Sequence, residues 1–169
     1  REGLKAGMER LTDLALRIGA KDVLLADTEE RKESIWNARG AFLEAIKNST
    51  SEMDECDVVV PRERIPAFVR RSVAVGREAG VRVCSFGHAG DGNLHIYVCR
   101  DEMESQAWEA AVRQVMDGLY EAARSLGGEV SGEHGIGHAK RRFLRESLGE
   151  TQLALMRGIK NVFDPNAIL

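Results

Sequence analysis

The chain has 169 residues, of which 43% are hydrophobic and 30% are charged, enough for one good core and too little for two large domains. The formal net charge is -3, the charges are interspersed and aromatic residues make up 5%, so a basic or stacking surface for nucleic acid is not indicated. No segment approaches the roughly 20 apolar residues of a membrane span, and the first residues do not form a signal peptide.

Residues 1–50 are predicted to be helical with one short strand. Apolar residues recur at spacings of four and three over residues 4–18, which is typical of one face of an amphipathic helix. Residues 23–26 predict a short strand. A second helix, capped by Asp27 or Thr28, is predicted to run to about Lys47.

Residues 55–132 show a different pattern, in which strands and helices follow one another in the order β-α-β-β-α-β. The predicted elements are strands at 57–61, 81–86, 94–99 and just after 128, and helices at 64–79 and 102–126. This order defines a ferredoxin-like unit. We therefore predict an α+β fold with an antiparallel sheet and helices on one face. Two further helices, in the segment 137–169, are expected to pack outside that unit.

The last strand of the central hairpin, residues 94–99, indicates which side chains face away from the helices. Leu94, Ile96 and Val98 form its apolar phase, which we expect to lie under the helices. His95 then lies on the opposite face, which the two helices leave uncovered and where another domain or a cofactor could bind.

Two glycine-rich segments carry residues of the kind that bind metals. His88 and His95 flank a tight turn, and Glu133 lies in a second glycine cluster. Imidazole and carboxylate suit zinc, manganese or iron, and three protein ligands leave positions open for catalysis. In an ideal ferredoxin-like unit the last strand runs away from the two histidines, so Glu133 can join them only if that strand is short or bent.

His134 is the candidate base. If its segment is extended, its side chain points away from that of Glu133, which frees it for acid–base chemistry, and imidazole is the usual base near neutral pH. The alternative is a histidine satisfied by backbone carbonyls. His138 and the basic run at 140–142 are expected to be solvated.

Arg39 stands in an apolar stripe. Ile35, Arg39, Phe42 and Ile46 share one helix face, and a buried guanidinium needs an anion. An internal carboxylate is one such partner, and a substrate carboxylate held by two hydrogen bonds is the other.

Four segments together resemble the C-terminal cap domain of FAD-linked oxidases. They are FGHAGDGNLH at 86–95, GGEVSGEHGIG at 127–137, WNAR at 36–39 and VFDPNAIL at 162–169. The resemblance covers nearly the whole chain. It is strongest to the FAD-linked subunit of glycolate oxidase and to the D-lactate and D-2-hydroxyglutarate dehydrogenases.

This resemblance implies a cap that closes over a flavin held mainly by a separate N-terminal domain, which these 169 residues lack. It implies that the two histidines and Glu133 bind a divalent metal, zinc or manganese. It further implies that His134 takes the hydroxyl proton of a D-2-hydroxy acid while a hydride passes to FAD. The resemblance also implies that Arg39 binds the substrate carboxylate and that Asn93 lies close to the substrate and the flavin.

Two positions depart from the dicarboxylate-oxidising members. Glu55 stands where D-2-hydroxyglutarate dehydrogenases have a substrate-binding lysine, and Leu43 stands where they have a threonine. A small monocarboxylate, glycolate or D-lactate, is therefore favoured.

The expected surroundings follow from the same resemblance. The expected partners are the protein's own FAD domain and an electron-accepting iron–sulfur subunit. The abrupt ends of the chain fit a piece of a longer protein, and this piece is expected to be inactive alone. Cys56, Cys84 and Cys99, an odd number at wide spacing, favour a reducing cytoplasm, with contact to the inner face of the membrane through partner subunits.

Two other hypotheses of function are compatible with these residues. The chain could be a stand-alone ferredoxin-like module that binds a small anionic metabolite or a metal. It could also be a metal-dependent hydrolase that uses the same two histidines and glutamate to activate water.

Overall fold

The computed structural model describes residues 2–168, so Arg1 and Leu169, where the predicted first and last segments begin and end, lie outside the described residues. The chain forms two compact units, one ending at Leu43 and the other beginning at Glu44.

The first unit carries two longer helices, α1 at Glu2–Arg17 and α2 at Glu29–Gly40. The Thr28 hydroxyl caps α2 by accepting a hydrogen bond from the backbone of Arg31 at 3.3 Å, as predicted for the helix start. The prediction of one helix to Lys47 is wrong, because α2 ends at the weak helix former Gly40 and a short helix, α3, follows at Phe42–Lys47. Within the described residues no strand pairs with 23–26, so the predicted strand there is also wrong.

The second unit is built on a three-stranded antiparallel sheet. Its strands are β1 at Met53–Val59, β2 at Arg82–His88 and β3 at Asn93–Cys99, in the order β1-β3-β2. Helix α4, at Ile65–Glu78, begins with a proline in its first turn, where a missing N–H costs nothing, and α5 spans Ser105–Ser125. Helix α4 packs on α5 and β2, and α5 packs on β1. The predicted α+β class with an antiparallel sheet is confirmed.

The predicted fourth strand is reduced to one residue. Glu129 forms an isolated antiparallel bridge with Val59, with hydrogen bonds of 2.8 and 3.2 Å, at the edge of β1 where the last strand of a ferredoxin-like unit belongs. Beyond the bridge the chain bends through 130–134 and leads to α6, at Arg141–Ser147, and α7, at Glu150–Phe163.

The core lies between the sheet and helices α4 and α5. Leu94, Ile96 and Val98 belong to it, as their alternation predicts, together with Phe68 and Leu119 from the helices. Each large side chain buried in this way contributes about 1.5–3 kcal/mol relative to exposure.

The opposite face of β3 is less open than predicted. His95 and Tyr97 do lie outside the core cluster, but both are buried, because the Phe86 ring stacks on Tyr97 and the His134 ring lies beside His95. In the described part of the chain, no helix combines the length and the apolar character needed to cross a membrane.

Candidate metal centre

The face of the sheet away from α4 and α5 carries the polar side chains of the site. The strand register places Asp57, His95 and Phe86 side by side across β1, β3 and β2. Glu55 lies two residues before Asp57 and therefore shares this face. The sheet therefore fixes the relative positions of the backbone atoms that carry these side chains.

The turn between β2 and β3 sets the separation of the two histidines. Gly92 has φ +86°, and a Cβ there would lie 2.0 Å from the Val60 carbonyl oxygen, so only glycine fits. Its N–H donates to the His88 carbonyl at 3.0 Å. Asp91 accepts a hydrogen bond from the Asn93 backbone at 3.0 Å, an interaction typical of turns.

The three predicted ligands lie together. Glu133 Oε1 is 3.0 Å from His95 Nε2 and 3.8 Å from His88 Nε2. One ligand atom from each of the three residues lies within 4.8 Å of the others. Two imidazole nitrogens and a carboxylate oxygen form a donor set that suits zinc or manganese, so the residues present fit a divalent ion.

His134 points into the same cluster. The expectation that it points away from Glu133 is wrong, because the segment bends and is not extended. Its Nε2 lies 4.0 Å from Glu133 Oε1, and its ring centroid lies 5.0 Å from that of His95. Its side chain is 44% exposed, so a small molecule can reach it.

Asp57 holds the bent segment in place. Its buried carboxylate accepts hydrogen bonds from the Ser131 hydroxyl at 2.8 Å and the His134 backbone at 3.0 Å, and it pairs with Lys140 at 3.3 Å. Burial alone raises the pKa of the Asp57 carboxyl. The hydrogen bonds from His134 and Ser131 and the charge of Lys140 outweigh it and lower that pKa to about 2.

Lys140 was therefore wrongly predicted to be solvated. Its side chain is only 12% exposed, because it lies against Asp57. A basic run is usually a surface feature, and only the fold shows that its first member turns inward.

Glu55, which in the sequence only marks a departure from a substrate-binding lysine, contacts the candidate ligand His95. Its Oε1 lies 3.0 Å from His95 Nδ1 and accepts a hydrogen bond from the Tyr97 hydroxyl, also at 3.0 Å. The pKa of the Tyr97 hydroxyl is raised, mainly because the group is buried and to a lesser extent because the Glu55 carboxylate is beside it. The signal available in the sequence was two acidic residues two apart, Glu55 and Asp57, in a strand that faces His95.

Asn93 is buried at the start of β3. Among residues 2–168, no hydrogen-bond partner reaches its Oδ1. A Cβ at position 132 would lie 2.1 Å from that oxygen, so Gly132 gives the amide its space. An unpaired buried amide oxygen is costly, which makes it a candidate for contact with a bound molecule.

Arg39 belongs to the first unit, on α2, and is exposed. Its guanidinium lies 5.4 Å from the centre of the Trp36 ring. The stripe around it is exposed as well, with Ile35 at 53% and Phe42 at 48%, so the expected buried guanidinium is wrong for the structure described here.

The fold and the site define a ferredoxin-like α+β domain that carries a His-His-Glu cluster, with a further histidine, on the sheet face away from its helices. The chain belongs to the family described as FAD linked oxidases, C-terminal domain, which it matches over residues 1–169. The predicted resemblance is thus confirmed.

Three relatives illustrate the range of this family. A D-lactate dehydrogenase of Anaerostipes hadrus is 50% identical over 168 residues, 99% of this chain and 35% of the relative. The glycolate oxidase subunit GlcD of Bacillus subtilis is 32% identical over 99% of this chain and 36% of the relative. A D-2-hydroxyglutarate dehydrogenase of Xanthomonas citri is 36% identical over 88% of this chain and 32% of the relative. The chain therefore spans about a third of the length of the curated relatives it matches.

Proposed function

We propose that this chain is the substrate- and metal-binding cap of a flavin-dependent enzyme that oxidises a small D-2-hydroxy acid, glycolate or D-lactate, to the 2-oxo acid. The observation that carries the proposal is the convergence of His88, His95 and Glu133, with His134 beside them. Membership of a FAD-linked oxidase family and the names of the relatives support it.

The metal, zinc or manganese, would be held by one nitrogen each of His88 and His95 and by the Glu133 carboxylate. When bound, a divalent ion supplies a Lewis acid that acidifies a nearby hydroxyl, and FAD supplies the hydride acceptor. Both ring nitrogens that face Glu133 are Nε2, so the two imidazoles are already turned toward a common point.

Oxidation of a 2-hydroxy acid removes a proton from the hydroxyl oxygen and a hydride from the carbon. We assign the proton to a ring nitrogen of His134, which is exposed enough to meet substrate and close enough to the ligands to act there. Arg39 is assigned to the substrate carboxylate, because a guanidinium can hold it by two hydrogen bonds. Asn93, with its unpaired amide oxygen, is assigned to contact with substrate and flavin.

The preference for a monocarboxylate is supported by Glu55. Its carboxylate lies among the candidate site residues, and a second carboxylate on the substrate would be repelled there. The remaining parts of the proposal concern the whole protein: a separate N-terminal FAD domain, an iron–sulfur subunit as electron acceptor, and a cytoplasmic place at the inner face of the membrane.

The test uses the complete protein that contains this chain, with dye reduction by D-lactate, glycolate and D-2-hydroxyglutarate as the assay. We expect His134→Ala to lower turnover by about 100- to 10,000-fold with flavin and metal content retained. His138→Ala is the matched control, because this histidine is exposed and lies outside the cluster. Turnover in His134→Ala equal to that of the control would overturn the role of His134. Failure of all three substrates would overturn the proposed activity.

A further inference from the structure

We propose that Glu55 is a positioning residue, which orients the His95 imidazole so that its Nε2 is presented to the metal between His88 and Glu133. The two nitrogens of this ring face two different carboxylates. Nδ1 lies 3.0 Å from Glu55 Oε1, and Nε2 lies 3.0 Å from Glu133 Oε1. Because a neutral imidazole has one N–H and one lone pair, these two contacts cannot both be hydrogen bonds donated by the ring.

The surroundings decide which contact takes the N–H. Glu55 lies on a sheet strand, its side chain is 28% exposed, and its oxygen also accepts a hydrogen bond from the Tyr97 hydroxyl. Glu133 lies on a bent segment, its side chain is 53% exposed, and its oxygen also faces His88. The fixed, more buried acceptor is therefore the partner of Nδ1–H, and the lone pair is left on Nε2. A ligating histidine oriented through its other nitrogen in this way binds metal more tightly.

The strand register explains why this residue is a glutamate. The Cα partner of Glu55 on β3 is Tyr97, and that of His95 is Asp57, so Glu55 reaches His95 along the diagonal. Diagonal neighbours are farther apart than direct ones, and a long side chain is needed to bridge them. The same oxygen lies 3.6 Å from His134 Nδ1, so one carboxylate contacts both a candidate ligand and the candidate base.

The first experiment reads the ring directly and needs no metal. Long-range ¹⁵N–¹H NMR spectra of the labelled 169-residue chain report which nitrogen of each histidine carries the proton, and the chain has only four histidines to assign. We expect His95 to be protonated at Nδ1 in the wild type and in Glu55→Gln, whose amide oxygen still accepts. In Glu55→Ala we expect this preference to be lost.

The second experiment measures zinc affinity by competition with a chromogenic chelator. We expect Glu55→Ala to weaken binding about 10- to 100-fold and Glu55→Gln to recover most of that loss. Asp54→Asn is the matched control, because Asp54 is the neighbouring acid on β1, is exposed and faces the other side of the sheet. It should bind as the wild type does. Wild-type ring protonation and wild-type affinity in Glu55→Ala would overturn the inference.

Circular dichroism tells whether each variant folds. If Glu55→Ala does not, Glu55→Asp carries the test, since it keeps the charge and shortens the reach. A wild-type zinc affinity or ring state in Glu55→Asp would overturn the inference. The inference rests on the proposed metal site, but the two fail differently. A wild type that binds no zinc refutes the metal site, whereas the NMR spectra still decide whether Glu55 orients His95.

Discussion

Asp57→Asn is predicted to destabilise the second unit strongly and in a pH-dependent way. The folded-state pKa of about 2 lies below the ordinary value of 3.8, and at about 1.4 kcal/mol per pKa unit this difference corresponds to about 2 kcal/mol of stability at neutral pH. Because the folded pKa is the lower one, this contribution is complete above pH 3.8 and is lost as the pH falls through 2. At pH 3 about half of it should remain.

The loss extends beyond that charge-dependent part. In the asparagine variant an N–H₂ group replaces one carboxylate oxygen, and it cannot accept a hydrogen bond such as the one that the His134 backbone donates. The variant also leaves Lys140 without its counter-ion. A broken buried ion pair costs about 3–5 kcal/mol in other proteins, which sets the upper end of the expected loss at pH 7.

The assay is urea unfolding followed by the fluorescence of Trp108, which is buried in the second unit, in a background where Trp36 is replaced by Phe. Asp117→Asn is the control, because Asp117 forms an exposed ion pair with Arg142 and should cost less than about 1 kcal/mol. A loss below about 0.5 kcal/mol for Asp57→Asn at pH 7 would contradict this prediction. The same loss at pH 3 and pH 7 would also refute it.

Two further predictions concern the turn and the metal. Gly92→Ala should destabilise the protein by about 2 kcal/mol or more in the same unfolding assay, because Gly92 has a positive φ and an added Cβ would clash with Val60. Gly90→Ala is the control, because a Cβ at this position of the same turn meets nothing within 4 Å and should change the stability little. Equal losses in the two variants would contradict this prediction. Zinc at 100 times its Kd should stabilise the wild type by about 2.7 kcal/mol in thermal unfolding, and His88→Ala should abolish this gain; an equal gain in the variant would remove His88 from the ligand set.

The elements with a regular apolar pattern are predicted correctly in both units, and α1 at Glu2–Arg17 matches the periodicity over residues 4–18. The two helices expected within 137–169 are found as α6 and α7, and the alternation in β3 follows directly from apolar periodicity. Pairing partners cannot be read in this way. Residues 23–26 have a strand-like composition but no strand beside them in the described structure, and the segment after Gly128 pairs through one residue only.

In the candidate site, the residue types could be predicted from the sequence, but the contacts that depend on the fold could not. Residue type and glycine context were enough to select the metal-ligand candidates, which the fold brings together. The direction of His134 depends on a backbone bend, and the burial of Lys140 depends on Asp57, more than 80 positions earlier in the chain. The contact of Glu55 with His95 became visible only with the strand register, because the pairing of β1 with β3 brings these two residues together.

The fourth strand, which pairs through Glu129 only, could not be lengthened without moving Glu133. Continued antiparallel pairing from the Glu129–Val59 bridge would place Glu133 opposite Glu55, with β1 between it and the strands that carry the histidines. That displacement would separate it from the histidines it now meets. Substitutions that favour strand at 130–132 are therefore poor candidates for engineering a more stable variant, because a longer fourth strand would disperse the His88, His95 and Glu133 cluster.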